Sequence, residues 1–397
     1  MRIGLVSAAN AGLKNTGMLS VDLAFWALSR RIGTDADITW YTIQPPDVEP
    51  IRPYVHGTEL PFRFRSLLGA YAELADHDAV VFWGDFLHAR HYLEQDAVYW
   101  LTRQQLVNNR DEARSLLDPA LLLSTAPDEV IAKTIAYGGT VLHNTQHDYA
   151  DDDYRSAFFR LVSRCRMIWM RDAISAATVT HIRQDYAKSH FGTDAALLLR
   201  LEDLDFLPRS GWADESDSGA TIGVFVGSRT DTPNWLPELW QALSDRLGAR
   251  PEWFPWFDAD LPPEAAELPR RSGDYRLGDL FTRLSRYRLV ITDTYHLCIN
   301  AWRSGVPAVC IGAPEPGPAP YGFLSVSNLK KHVFYLAYNA TDFYLSTLDE
   351  GAQTRRDRVE RIATLIENGG AAAITARMAQ HAAEAEKQLV DTLHSLR

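Results

Sequence analysis

Short apolar runs alternate with longer amphipathic stretches along almost the whole chain. Residues 2–7, 37–43, 79–83, 139–144 and 167–170 are runs of strand length, and 19–31, 64–75, 154–164 and 174–182 carry helical spacing. A segment at 195–199 closes this half. Residues 204–220 then break the pattern: Pro208, Arg209, Ser210 and Gly211 precede a polar run at 214–218, which is the chemistry of an inter-domain linker. Beyond it the alternation restarts, with strands predicted at 221–226, 289–291 and 308–311. Helices are predicted at 235–247, 277–285, 297–304, 355–368 and 372–396. Repeated strand–helix alternation in two halves predicts an α/β protein of two doubly wound, Rossmann-like domains facing a cleft. The expected division is 1–205 and 219–397, and the final helix at 372–396 is a candidate to cross back to the first domain.

Ligands of open parallel sheets bind beyond the carboxyl ends of the strands, so chemistry is sought there. The strongest signal is Leu289-Val-Ile-Thr-Asp-Thr-Tyr-His296, an apolar strand that stops at Thr292-Asp293 and turns into a helix expected to end at Gly305. An imidazole at such a corner is placed to move a proton near neutral pH, and Asp293 fits a helix N-cap. Asn15 and Gly17 lie in the first loop, 9–17. Its small residues either admit an anion to a helix N-terminus or form a plain turn, and no Gly-Lys-Ser/Thr follows to make a P-loop. Arg171-Asp172 ends another strand, where Arg grips phosphate or carboxylate or the pair simply caps the next helix. Ser228 and Arg229 follow the first strand of the second half, as ligand contacts or as a solvated loop. The run Trp253-Phe-Pro-Trp-Phe257 is either a sugar-stacking platform or packing.

Composition narrows the classes. At 397 residues, 46% hydrophobic and 23% charged, the chain is globular and long enough for two domains. A net charge of −11 gives nucleic-acid binding no electrostatic support, and an anionic substrate then requires a local cluster of Arg or Lys. Cys165, Cys298 and Cys310 sit inside apolar segments, which fits a reducing compartment. No apolar run approaches the ~18 residues of a membrane span, and the first residues read as a strand, so a cytoplasmic protein is expected. His88 and His91, or His143 and His147 with Asp148, could suggest a metal site, but the second pair falls on a strand and its loop and not on a helix, and no metal is expected.

In order along the chain, these positions resemble the polysaccharide pyruvyl transferase family. Asn15 and Gly17 look like its N-terminal Asn-x-Gly segment, and residues 78–84 its strand running into a glycine loop. Met170-Arg-Asp172 with Ser175 is similar to its Arg-Asp-x-x-Ser, and Asp194-Ala-Ala-Leu197 to its Asp-Pro-Ala-Leu segment. Ile222-Gly-Val and Ser228-Arg229 resemble its second-domain strand and Arg. Thr292-Asp-Thr-Tyr-His296 with Gly305-Val-Pro307 is the closest match, nearest to a branch with Thr-Asp-Ser-Phe-His.

The resemblance implies a fold like that of GT-B glycosyltransferases and no cofactor, with phosphoenolpyruvate as co-substrate. The implied acceptor is a sugar, nucleotide sugar or lipid-linked saccharide, and a homo-oligomer is compatible with it. His296 would protonate the donor's methylene carbon, and a sugar diol would end as a cyclic pyruvate ketal. The chain departs from the family at Thr294, where many members carry Arg, and at Asp85, where bare backbone is common. The donor's phosphate must then rely on Arg171, Arg229 or Lys330. The alternatives are a nucleotide-sugar glycosyltransferase, a family member altered to act on a small molecule, and an inactive scaffold. The first lacks the ribose-binding Glu of many such enzymes, since Asn300 occupies that place.

Overall fold

The computed structural model describes residues 1–8, 15–33, 36–85, 87–213, 219–227, 232–312, 326–347 and 351–396. Strand β1 (Arg2–Ser7) is buried at every position but its first, as a strand covered by helices on both faces must be. It lies inside a six-stranded parallel sheet with β2 (Asp37–Thr42), and a small antiparallel hairpin of β3 (Tyr54–Val55) and β4 (Thr58–Glu59) stands apart. The sheet is completed by β5 (Phe64–Ser66), β6 (Ala79–Asp85), β7 (Thr134–Gly139) and β8 (Met167–Met170). Its order is β5-β2-β1-β6-β7-β8, so the winding reverses between β1 and β6.

The second sheet is also parallel: β9 (Thr221–Phe225), β10 (Arg250–Trp253), β11 (Leu289–Thr292), β12 (Ala308–Gly312) and β13 (Tyr344–Ser346), in the order β10-β9-β11-β12-β13. Its winding reverses between β9 and β11. Each sheet therefore offers a crevice at its own switch point, the place where doubly wound folds bind ligands. These are two Rossmann-like domains.

Their carboxyl edges meet. Asn15, just past β1, forms an isolated bridge with Phe257, just past β10, and the Thr16 hydroxyl donates to the Trp256 carbonyl at 2.6 Å. The helix Thr16–Arg31 also faces the helix Tyr295–Arg303, where the Asn300 amide donates to Ser20 Oγ at 2.9 Å. One apolar core runs through both domains, from Leu5 and Trp83 to Val290 and Trp302. The last helix, Gly370–His394, places Glu386 against Arg31 and Arg200, and Ser395 beyond it accepts from Arg166. No helix among the described residues is long and apolar enough to cross a membrane.

Two elements differ from expectation. Residues 64–75 were expected to be helical, but Phe64–Ser66 pairs with β2 before Ser66 caps a short helix, Leu67–Ala70, by accepting from the Gly69 amide. The strand expected at 139–144 lies earlier, at Thr134–Gly139. Gly138 takes a φ of 71°, a register shift follows, and Val141 then gives its N–H to Ser175 Oγ instead of to a neighbouring strand.

Beside β1, the Asp22 carboxyl is fully buried and accepts from Ser7 Oγ at 2.6 Å. Burial pushes its pKa up to about 7 against the opposing effect of that hydrogen bond. A raised carboxyl pKa means that the folded state holds a proton the unfolded chain has lost, so stability falls as pH rises from about 4 to 7. Asp22→Asn removes that loss. The variant is expected to be more stable than the parent by about 3 kcal/mol at pH 8, with the gain shrinking toward zero near pH 4, in denaturant titrations at each pH.

Candidate active site

Three strand ends and a turn bring their polar side chains to one place. Strand β6 closes on Gly84 and Asp85, both left-handed, with φ of 74° and 50°. A Cβ at Gly84 would sit 2.7 Å from Val21 Cγ1, so only glycine lets the chain turn here. The strained backbone of Asp85 aims its carboxylate at Arg171.

At the end of β8 the Arg–Asp pair divides its labour. Asp172 caps the helix Ala173–Arg183 by accepting from the Ser175 amide at 2.8 Å, and it also takes the Thr140 hydroxyl at 2.6 Å. Arg171 turns the other way into the interior. Its side chain is only 2% exposed, with Nη1 3.2 Å from Asp194 and 3.5 Å from Asp85. Asp194 opens the 3-10 turn Ala195–Leu198 by accepting from the Ala196 amide, and points its other oxygen at Arg171.

The second domain supplies the imidazole. After β11, Asp293 was expected to cap the next helix, but the N-cap position falls to Thr294, which makes no side-chain cap bond. Asp293 instead accepts the Gly227 amide at 2.8 Å and the Thr294 hydroxyl at 3.2 Å, tying together the two loops at the switch point. The helix then presents Tyr295 and His296. The Tyr295 ring lies between two cations, with the Arg171 guanidinium 5.0 Å and Lys330 Nζ 5.3 Å from its centroid. Burial and the nearby Asp194 carboxylate drive the pKa of its phenol far up, so it stays protonated.

His296 is 7% exposed, with Nε2 3.8 Å from Asp194 Oδ2 and without a hydrogen-bond partner among the described residues. Burial lowers its pKa to about 4; Asp194 and Asp85 oppose that shift, while Arg171 and Lys330 add to it. The ring is therefore neutral in the empty site at pH 7. Its Cβ packs directly on Gly17, whose helix start is capped by Asn15 Oδ1 accepting from the amides of Gly17 and Met18. The wholly buried Asn300 amide also donates to the His296 carbonyl at 2.7 Å.

The structure thus gathers His296, Arg171, Asp85, Gly17 and Lys330 around Tyr295, with Asn15 beneath Gly17. Asp293 and Thr294 stand one step away, engaged with each other and with Gly227. Ser228 and Arg229 lie outside the described residues. Two site residues were not singled out in advance: Tyr295, and Asp194, which entered only through the family segment. Asp194 reaches Arg171 across 23 positions, a separation that carries no periodic signal. The aromatic run resolves toward packing, since Phe254 and Trp256 are fully buried and Trp253 nearly so. Among the described residues no three His, Cys, Asp or Glu side chains converge as a metal-binding set.

Two buried, chemically competent side chains at the meeting edges of two Rossmann-like domains are the outline of a group-transfer enzyme. The sequence pattern of the polysaccharide pyruvyl transferase family matches residues 24–313, well over half the chain, and the chain belongs to that family as a transferase. Asn15, Gly17 and Lys330 lie outside the matched span. No curated protein matches by sequence. Among solved structures, a spinosyn rhamnosyltransferase is similar at 14% identity and a TM-score of 0.47, covering 99% of this chain and 100% of its own. A UDP-GlcNAc 2-epimerase from Neisseria meningitidis, bound to UDP-GlcNAc, is similar at 11% identity and a TM-score of 0.49, with both chains covered in full.

Gly17 gives a test of the domain seam. In the first turn of a helix Gly→Ala is ordinarily favourable by up to about 1 kcal/mol. Here an added Cβ would meet His296 Cβ at 2.5 Å. Gly17→Ala is therefore expected to destabilise by about 1–3 kcal/mol, read as a lowered melting temperature.

Proposed function

We propose that the protein transfers the enolpyruvyl group of phosphoenolpyruvate to a saccharide diol, forming a pyruvate ketal and releasing phosphate. The reading rests on family membership together with one observation: a buried imidazole, His296, set beside the paired guanidinium of Arg171 where the two domains meet. His296 is the general acid. It gives its Nε2 proton to the donor's methylene carbon, which becomes a methyl group and leaves C2 electron-poor. One acceptor hydroxyl adds to C2, phosphate departs with the C2–O bond electrons, and the second hydroxyl closes the ring. Of the two hydroxyl protons released, one recharges the imidazole in place of the proton given to carbon, and the other leaves with the phosphate.

A pKa near 4 leaves His296 without a proton to give in the empty site at neutral pH. The donor changes that. A unit negative charge about 4 Å away is worth roughly 4 kcal/mol at an effective dielectric of ~20, or about three pKa units. An anionic donor therefore brings the imidazole into the range where it holds a proton near pH 7. Asp194, 3.8 Å from Nε2, steadies the imidazolium. Arg171 and Lys330 supply positive charge for the donor's phosphate and carboxylate, with Thr294 in place of the Arg of many members. The glycosyl-transfer alternative is disfavoured by Asn300, whose amide is buried and engaged with Ser20 and the His296 carbonyl and offers no carboxylate to a ribose.

The experiment is phosphate release from phosphoenolpyruvate in the presence of a panel of nucleotide sugars and lipid-linked saccharides. Release that requires both an acceptor and His296 is expected, and His296→Gln should lower turnover by about 100-fold or more while the melting temperature holds. No release with any acceptor sinks the reading. The linkage has its own test: at pH 7, where an imidazole raised from about 4 to about 7 takes up about half a proton, titration calorimetry in buffers of different ionisation enthalpy should detect proton uptake on donor binding. His296→Gln should bind the donor with most of that uptake gone.

A further inference from the structure

We infer that His143 is a further donor-binding residue, completing with Lys330 and Arg171 the contacts to the anionic end of phosphoenolpyruvate; the inference rests on the donor reading above. The turn that carries His143 follows β7, the strand lying between β6 with Asp85 and β8 with Arg171. It is pinned to the start of the helix after β8, since Thr140 Oγ1 donates to Asp172 and the Val141 amide to Ser175 Oγ. His143 is thus fixed at the carboxyl edge of the sheet. It is buried, with ring centroids 6.1 Å from His91 and 5.8 Å from Tyr92.

The charges around the two imidazoles differ in kind. Asp194 and Asp85 act on His296 together with Arg171 and Lys330. The groups acting on His143 are Lys330, His91 and Arg171, all basic. Burial first, then these neighbours, lowers its pKa to about 3, so at pH 7 it is a neutral ring with one N–H to give. A donor with phosphate and carboxylate at one end and a methylene at the other is oriented by that asymmetry. Its anionic end turns to the basic side, and its methylene is left for the imidazole flanked by carboxylates. His143 also accounts for how the site manages with Thr294, since a hydrogen-bond donor and a displaced lysine stand in for one guanidinium.

The test is binding of phosphoenolpyruvate to the full chain by titration calorimetry at pH 7.5. His143→Phe is expected to weaken binding by about 10-fold, and His143→Gln, which keeps an N–H donor, to stay within about threefold of the parent. Proton uptake at His296 should persist in both, which a general collapse of the site would not allow. Should the Phe variant fail to fold, His143→Asn, too short to reach the ligand, is expected to show the same loss. If Arg171→Gln or Lys330→Gln weakens binding while the His143 variants do not, the inference is overturned and the donor reading stands. Absence of binding by the parent protein overturns both.

Discussion

A guanidinium that water cannot reach must be paired, and the site is organised around that requirement at Arg171. An unpaired buried charge costs several kcal/mol, and removing one partner of a buried pair typically costs about 3–5 kcal/mol. Here the partners come from different parts of the chain: Asp85 from the end of β6, Asp194 from the turn at Ala195–Leu198, and the Tyr295 ring from the second domain. Satisfying one cation therefore fixes two corners of the first sheet and the start of the helix that carries His296. The same carboxylate that pairs with Arg171 lies 3.8 Å from the imidazole, so the ion pair and the acid–base group share a partner. One interaction thus links the candidate site to the contacts between the domains.

Much of the fold was legible because strands buried on both faces of a parallel sheet read as uninterrupted apolar runs. Strands β1, β6, β8, β9, β11 and β12 are of this kind. The strands that were not foreseen, β5, β10 and β13, are three or four residues long and sit at sheet edges. Each contains a polar or turn-forming residue, as in Arg250-Pro-Glu-Trp253, and an edge strand needs an apolar pattern less than a central one does. β7 was displaced in the reading for a different reason: Val141 and Leu142 imitate a strand, while the glycines before them end the real one. At the site, Arg171 was visible because it directly follows an apolar run, and His296 because it lies at the start of the helix just beyond one. Asp194 follows none, and its role exists only in three dimensions.

The chain as a whole is acidic, with a net charge of −11, yet its candidate site concentrates cations. Arg171 and Lys330 approach the same Tyr295 ring, and His143 and His91 stand close by. Buried together without an anion, such groups repel one another, and the protein limits the cost in two ways. Asp85 and Asp194 neutralise Arg171, and burial strips His143 and His296 of their protons. Under the proposed function an anionic donor would lower this repulsion further, which a purely structural salt bridge would not need.

In the proposed reaction that balance also explains why a general acid should rest in its neutral form. A permanently charged imidazole beside Arg171 and Lys330 would add to the repulsion and raise the energy of the empty site. With the ring neutral until an anion arrives, ligand binding and proton loading become one event. An enol ether is protonated only by an acid held against its methylene carbon, and the active acid then exists only when that carbon is in place. In the proposed reaction acceptor-independent hydrolysis is limited separately, because the burial that depresses the imidazole also keeps bulk water from the electron-poor carbon. The low basicity of His296 is in this view the means by which the site ties reactivity to occupancy.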